Sequence, residues 1–313
     1  MNKPDVLNGM RTFKIKSARR ATANKNLWGY FFILPAIIGL IVFQFGPILY
    51  SMVISFTQWD IITPMNFLGT SNYTRMVNDP LVWKSISVTL YYTILNVPLT
   101  LIITLLIAVL LDTKMKGMSL FRTIYYIPSI VPAVANAALW MFLYNPMYGF
   151  FNQILSMVGI QPQEWIYGEK QVIPSIVLMS IWGAGNTVII YLAGLQGISR
   201  QLYEAIEIDG GGLLHKFFKI TVPMISPIIF YNMAMGIIGS MQVFTQAFIM
   251  TDGGPANASM FYMLLLYRTA FKNQEMGYAS AMAWMMFLII GIITFITFKT
   301  SSLWVFYEGD DSK

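Results

Sequence analysis

The sequence predicts an all-α integral membrane protein, a polytopic bundle of six spanning helices. Three observations predict it. Only 11% of the 313 residues are charged and 56% are hydrophobic, against roughly a quarter charged in soluble domains. The apolar residues fall into six blocks, at about 27–56, 85–111, 121–143, 172–198, 224–250 and 276–298, each long enough for the roughly 20 residues that a span requires. Within those blocks the one Asp, Glu, Lys, Arg or His is Arg122, at the edge of the third.

Ahead of the first block, residues 1–26 carry Lys3, Arg11, Lys14, Lys16, Arg19, Arg20 and Lys25. A cleavable signal peptide has an apolar stretch close behind a short charged start, so this segment reads as a basic cytoplasmic tail. Placing it inside assigns the loops alternately to the two faces. The cytoplasmic face then holds 15 basic residues, the tail being joined by Lys114, Lys116, Arg122, Arg200, Lys216, Lys219, Lys299 and Lys313. The opposite face holds five, Arg75, Lys84, Lys170, Arg268 and Lys272. Cytoplasmic loops are enriched in Lys and Arg, so both termini are expected inside, as an even number of spans requires. The chain divides into a tail at 1–26, a transmembrane domain at 27–299 and a tail at 300–313.

Within the spans, Pro35, Pro47, Pro98, Pro128, Pro132 and Pro227 each remove a backbone donor and predict bends. Gly183, Gly185, Gly194, Gly236 and Gly239 are placed to let backbones approach closely. Trp28, Tyr30, Trp83, Trp140 and Tyr144 lie near span ends and are expected to anchor at the headgroups. The 22 methionines are scattered through the apolar blocks and read as adaptable packing.

The cytoplasmic segment 199–223, between the fourth and fifth spans, reads as two short helices around a glycine turn. Glu204, Glu207 and Asp209 crowd the first piece, Gly210 to Gly212 form the turn, and Lys216 and Lys219 lie near the end of the second. Leu213 and Phe217 stand four apart, as do Leu214 and Phe218, which lines up apolar side chains on a surface facing the cytoplasm. An exposed apolar surface of this kind is a docking site.

Other classes of function are excluded by what is missing. No cysteine is present, which removes disulfides, thiolate metal sites and cysteine nucleophiles. His215 is the single histidine, so neither a zinc cluster nor a histidine-based triad is available, and no metal or catalytic site is expected. The stretch from Gly210 to Lys216 lacks the glycine spacing and the Ser/Thr of a phosphate-binding loop, so ATP and magnesium, if used, bind another chain. The net charge of +6 sits in loops and tails and carries no nucleic-acid reading.

Glu204-Ala205, Asp209-Gly210, Phe217, Ile220 and Pro223 resemble the loop hallmark of the permease subunits of binding-protein-dependent ABC importers, in the carbohydrate branch that takes maltose, lactose and glycerol phosphate. Ile206 and Val222 depart from the pattern, apolar for apolar. The likeness extends over about residues 28–309, through Asn72-Tyr73, Asp79-Pro80, Phe121-Arg122-Thr123, Pro128, Trp140, Gly253-Gly254-Pro255, Gly277-Tyr278-Ala279-Ser280-Ala281 and the run from Trp304 to Gly309. The resemblance implies a six-span permease of the type I ABC importer kind in a bacterial or archaeal plasma membrane. It implies a second homologous permease, an ABC ATPase dimer and an extracytoplasmic solute-binding protein as partners, with membrane lipid around it and a small carbohydrate as cargo. It assigns ATPase coupling to Glu204, Ala205, Asp209, Gly210, Phe217, Phe218, Ile220 and Pro223, in which Phe217 and Phe218 would be the buried anchors.

The same resemblance places the solute path on the helices flanking that loop, where Trp182, Gly183, Asn186, Ser240 and Gln242 stand. The spans also carry Asn96, Asn136 and Gln246, and amides suit hydroxyl-rich sugars. A self-contained ion-coupled transporter is the alternative. Proton coupling usually needs an intramembrane acid, and the blocks contain none.

Overall fold

The computed structural model describes residues 30–113 and 115–306; the basic tail at 1–26, Trp28, Lys114 and the stretch from Tyr307 onward lie outside it. Helix α1 (Tyr30–Ile54) contains a π-helical stretch at Ile41–Phe45, directly before the Gly46-Pro47 start of its second half. Widening the helix there accommodates a proline that has no N–H to give the preceding turn. A two-residue hairpin, β1 (Thr57–Gln58) with antiparallel β2 (Asn66–Phe67), leads to the short α2 (Ser71–Asn78) and then to α3 (Pro80–Leu111), a 32-residue helix with Pro98 inside.

The remaining spans are interrupted. Helices α4 (Met118–Ile130) and α5 (Ala133–Leu143) meet at 101°. The block 121–143 is therefore two helices and not the single rod that hydropathy predicts. Val131 is extended because Pro132 follows it, and Pro132 has no amide to continue the ladder. After α6 (Phe150–Met157), α7 (Val172–Trp182) and α8 (Gly185–Gln196) form a pair bent by 49° at Gly183-Ala184.

Helix α9 (Arg200–Ile208) and helix α10 (Leu213–Met224) follow, and α10 meets α11 (Ser226–Met241) at 66°. The block 224–250 stays regular only to Met241 and resumes as a π turn at Ala247–Thr251. Helix α12 (Tyr262–Tyr267) and the long α13 (Met276–Ser301) complete the fold. Helices α1, α3 and α13 are each long and apolar enough to cross a membrane, and the three bent pairs bring the total to as many as six.

Helix α3 is the axis of the bundle. Near its start Val82, Val88 and Tyr92 pack with α7, α12 and α13, while near its end Leu105, Ala108 and Leu111 pack with α8 and the segment around Ile220 and Ile225. Close approach is built in where the small residues are: a Cβ at Gly185 would stand 2.4 Å from the Tyr125 carbonyl oxygen, and one at Gly194 would meet Ile228. Arg122, the charge at the edge of the third block, donates from Nε and Nη2 to the Leu111 carbonyl at 3.2 and 2.8 Å, capping the end of α3.

Trp140 and Tyr144 are fully enclosed rather than set at the headgroups. They stack in one aromatic cluster with Phe151 and Trp165, and the Tyr144 hydroxyl donates to the Ser175 carbonyl. The loop after α5 folds back over them, which hydropathy alone does not show. Trp83 and Tyr30 are exposed.

The end of the bundle away from Leu111 is closed by a polar clasp. Arg75 pairs with Glu275 through two bonds of 3.0 and 2.9 Å and lies 4.1 Å over the Tyr278 ring, whose hydroxyl donates to Asp79. The guanidinium pKa is held above its ordinary value mainly by that bond to Glu275. Asn72 donates to the Ser55 and Thr57 carbonyls, joining α2 to the end of α1.

Substituting Gly185→Ala is expected to destabilise the bundle by about 1–3 kcal/mol, because α4 must move off α8. Gly291→Ala, with open space around its Cβ, is expected to leave the thermal transition unchanged or slightly raised, as measured by tryptophan fluorescence of the purified chain.

Candidate functional site

Three breaks in the spans converge on one cavity. Val131 at the α4/α5 break, Gly183 at the α7/α8 break, and Val243 and Gln246 in the interruption after α11 all line a space of about 360 Å³. Tyr92 and Asn96, at the middle of α3, form another wall, so the cavity lies at mid-depth. Irregular backbone is tolerated inside a membrane only where it is buried in protein or faces a water-filled space. Three separate interruptions bordering one cavity therefore mark it as the polar interior of the bundle.

Its lining is polar and uncharged. Asn96, Ser129, Asn136, Ser180, Ser240 and Gln246 present amides and hydroxyls, and Tyr92 Oη lies 2.8 Å from Ser180 Oγ. Asn136, on the cavity wall, keeps a buried amide oxygen with no hydrogen-bond partner among the described residues, and leaving such a group unpaired costs about 1–3 kcal/mol. Among the described residues, no Asp, Glu, Lys, Arg or His lines this space.

Of the five path residues expected from sequence, the structure brings two, Gly183 and Ser240, to the cavity. Trp182 leans against Trp140 at 5.7 Å with part of its ring exposed, outside the cavity lining, and Asn186 and Gln242 are exposed elsewhere. Gln242 stands two residues beyond Ser240, a spacing that does not share a helix face, and α11 ends between them at Met241. Tyr92, Ser129 and Ser180 were not signalled by hydropathy. Asn96, Asn136 and Gln246 were, as lone amides in apolar blocks.

The second feature is the elbow between α9 and α10. Helix α9 closes with Asp209 N–H donating to Ala205 O, Gly210 N–H to Glu207 O and Gly211 N–H to Ile206 O. Gly210 has φ +77°, in the left-handed region that glycine adopts freely. A Cβ at Gly211 would fall 2.3 Å from the Ile206 side chain. Lys216 pairs with Glu207 across the turn, and the Tyr203 hydroxyl bonds to Thr221 at 3.0 Å. The pair of helices is thus a braced unit.

Glu204, Ala205 and Asp209 lie exposed on the first arm. On the second arm the aromatic pair divides: Phe217 is half-buried against the chain's own core with buried Ile220 nearby, while Phe218 is 63% exposed. Phe217 thus serves the chain's own core, which differs from the paired-anchor expectation. The outward apolar surface is instead Ile208, Leu213, Leu214 and Phe218, exposed at 87, 85, 75 and 63%. Ile208 was missed because it ends a helix otherwise read for its acids. Pro223 lies just before the 66° bend into α11.

Residues 105–302 match the family described as the binding-protein-dependent transport system inner membrane component. The chain belongs to this family. It is 40% identical to a probable ABC transporter permease protein, YesP, of Bacillus subtilis (strain 168), over 93% of this chain and 96% of that one. The trehalose/maltose transport system permease MalF of Thermococcus litoralis is 31% identical over 87% and 92%, and the lactose permease LacF of Rhizobium radiobacter 31% over 86% and 92%. A bacterial ABC transporter involved in import of the polysaccharide alginate has a chain that superposes with a TM-score of 0.80, at 20% identity, covering 91% of this chain and 98% of that one. The fold is shared.

Gly210→Ala places a side chain at positive φ, costing about 1 kcal/mol, and Gly211→Ala forces Ile206 aside. Both are expected to speed amide exchange across residues 205–216 by roughly fivefold, with exchange in α3 unchanged, as read by hydrogen–deuterium exchange mass spectrometry.

Proposed function

We propose that this permease is the membrane-spanning subunit of an ATP-driven importer for a neutral sugar or sugar-like solute. The observation that carries the reading is the mid-depth cavity: three helix interruptions border amides and hydroxyls with no charged side chain among the described lining residues, which is the chemistry a polyhydroxylated solute requires. Relatives named for trehalose, maltose and lactose support the same class.

In this reading solute arrives from an extracytoplasmic binding protein, passes between this chain and a second homologous permease, and leaves into the cytoplasm. Both termini lie on the cytoplasmic side of a bacterial or archaeal plasma membrane, following the bias of basic residues. ATP and magnesium bind on an ABC ATPase dimer that receives the elbow. Glu204 and Asp209 supply acceptors for charge-assisted bonds at its rim, and Ala205 keeps the first arm slim. Gly210 makes the turn, and Ile208, Leu213, Leu214 and Phe218 enter the ATPase as apolar anchors. Phe217, Ile220 and Pro223 fasten the elbow to the rest of the chain.

In liposomes carrying the assembled transporter, Glu204→Ala combined with Gly210→Ala is expected to cut retained ATPase and solute-stimulated hydrolysis by about tenfold or more. Wild-type values would contradict the coupling role. Asn136→Leu and Gln246→Leu are expected to keep ATPase docking but lower uptake by about tenfold. The labelled sugar for that assay is the one that binds the partner binding protein in a ligand screen. Undiminished uptake would remove the cavity from the path.

A further inference from the structure

The mid-depth cavity does not end the polar route. A second space, of about 240 Å³, lies between α3, α8 and α11, lined by Asn96, Thr100, Thr187, Tyr231, Asn232 and Gly236 among others. Asn96 and Gly236 line both spaces. Gly236 has no side chain to stand between them, and a Cβ built there would meet only the Val97 methyls, at 3.6 and 3.7 Å.

The direction is fixed by the helices. From Asn96 to Thr100, α3 runs toward Leu111, and from Gly236 back to Asn232, α11 runs toward the bend at Ile225. Leu111 and Ile225 belong to one core cluster, which also takes in Tyr203 and Phe217 of the elbow. The second space is therefore on the elbow side of the first.

Asn232 lines this space and is only 7% exposed, with its side-chain amide against the hydroxyl of buried Tyr191. Polar groups are costly to bury in an apolar setting, and a hydroxyl-rich solute in the space offers them further partners. The surrounding groups are again hydroxyls and amides without charge. Thr100 already reaches the Asn96 amide oxygen at 3.4 Å, which leaves the Asn96 nitrogen to donate.

We infer that this elbow-side space is a second binding station for one neutral, hydroxyl-rich ring, with Asn96 and Gly236 forming the neck through which the ring passes from the first. The inference rests on the proposal that the mid-depth cavity carries such a solute, and the test separates the two. The chain has no cysteine, so a single introduced thiol is the only reactive one on it.

Thr187→Cys reports the second station and Ser180→Cys the first, in the assembled transporter in nanodiscs open on both faces. The probes are a glucosyl methanethiosulfonate and a trimethylammonium-ethyl methanethiosulfonate. At Thr187→Cys the glucosyl reagent is expected to be preferred by about tenfold over the ratio the two show with free glutathione. Adding Asn232→Leu is expected to abolish that preference, and Asn96→Ser, on the opposite wall, gives the same loss where Asn232→Leu does not assemble. In inside-out vesicles, where added reagent meets only the elbow side, Gly236→Leu is expected to close the neck and lower glucosyl labelling at Ser180→Cys.

An unreactive Thr187→Cys overturns the station, as does the absence of a glucosyl preference or one that survives both substitutions. A preference at Ser180→Cys alone leaves the mid-depth reading standing and removes only the second station. A preference at Thr187→Cys alone removes the mid-depth reading and, with it, passage through the neck from the first space.

Discussion

Everything in this chain depends on keeping backbone hydrogen bonds satisfied in a solvent that offers none. A helix does so by itself, which is why α1, α3 and α13 can each run the width of a membrane as one continuous helix. Each place where a span gives up helical pairing must be shielded by protein or supplied with polar company. The break at Val131-Pro132, the break at Gly183 and the interruption after Met241 are gathered at one depth, around one cavity that carries the amides and hydroxyls of the spans. The chain thus concentrates its polar interior where a polar solute would be handled, and keeps the lipid-facing remainder apolar.

The same constraint explains how two distant features belong to one device. Helix α11 begins at the bend beside the elbow and ends at Met241, next to Ser240 on the cavity wall. Helix α3 presents Asn96 to the cavity and Leu111 to the cluster under the elbow. Rigid helices that touch both places transmit displacement without needing a chain of soft contacts. The braces at the elbow, Glu207 with Lys216 and Tyr203 with Thr221, keep it from bending under load. At the far end the Arg75–Glu275 clasp ties α2 to α13, and the residues there that carried the family resemblance outside the loop, Asn72, Asp79 and Tyr278, are the ones making its bonds.

Much of this was legible in the sequence, and the rest was hidden for physical reasons. Block length and charge exclusion announce the spans because both follow from the cost of burying charge in hydrocarbon. The glycine run announces the elbow because only glycine takes the backbone of Gly210 without strain. The bend in 121–143 is announced by Pro132, but its size is not: hydropathy counts apolar residues and is blind to direction, and the turn is 101°. Asn136 follows that turn and lines the cavity, while Gln242, two residues beyond Ser240, does not. Trp140 and Tyr144 were misplaced for a related reason, since their burial comes from a loop distant in sequence. Phe217 and Phe218 are adjacent and chemically alike, and only the packing against Ile220 shows that one faces inward.

The central claim is that the cavity at the three breaks is where solute is held at mid-depth. An experimental structure of the assembled transporter, trapped with ATP analogue and the binding protein's sugar, tests it most directly. The account predicts sugar density bordered by Val131, Gly183 and Gln246, within hydrogen-bond distance of Asn136. Side chains of the second permease filling that space, with the sugar held elsewhere, would contradict it.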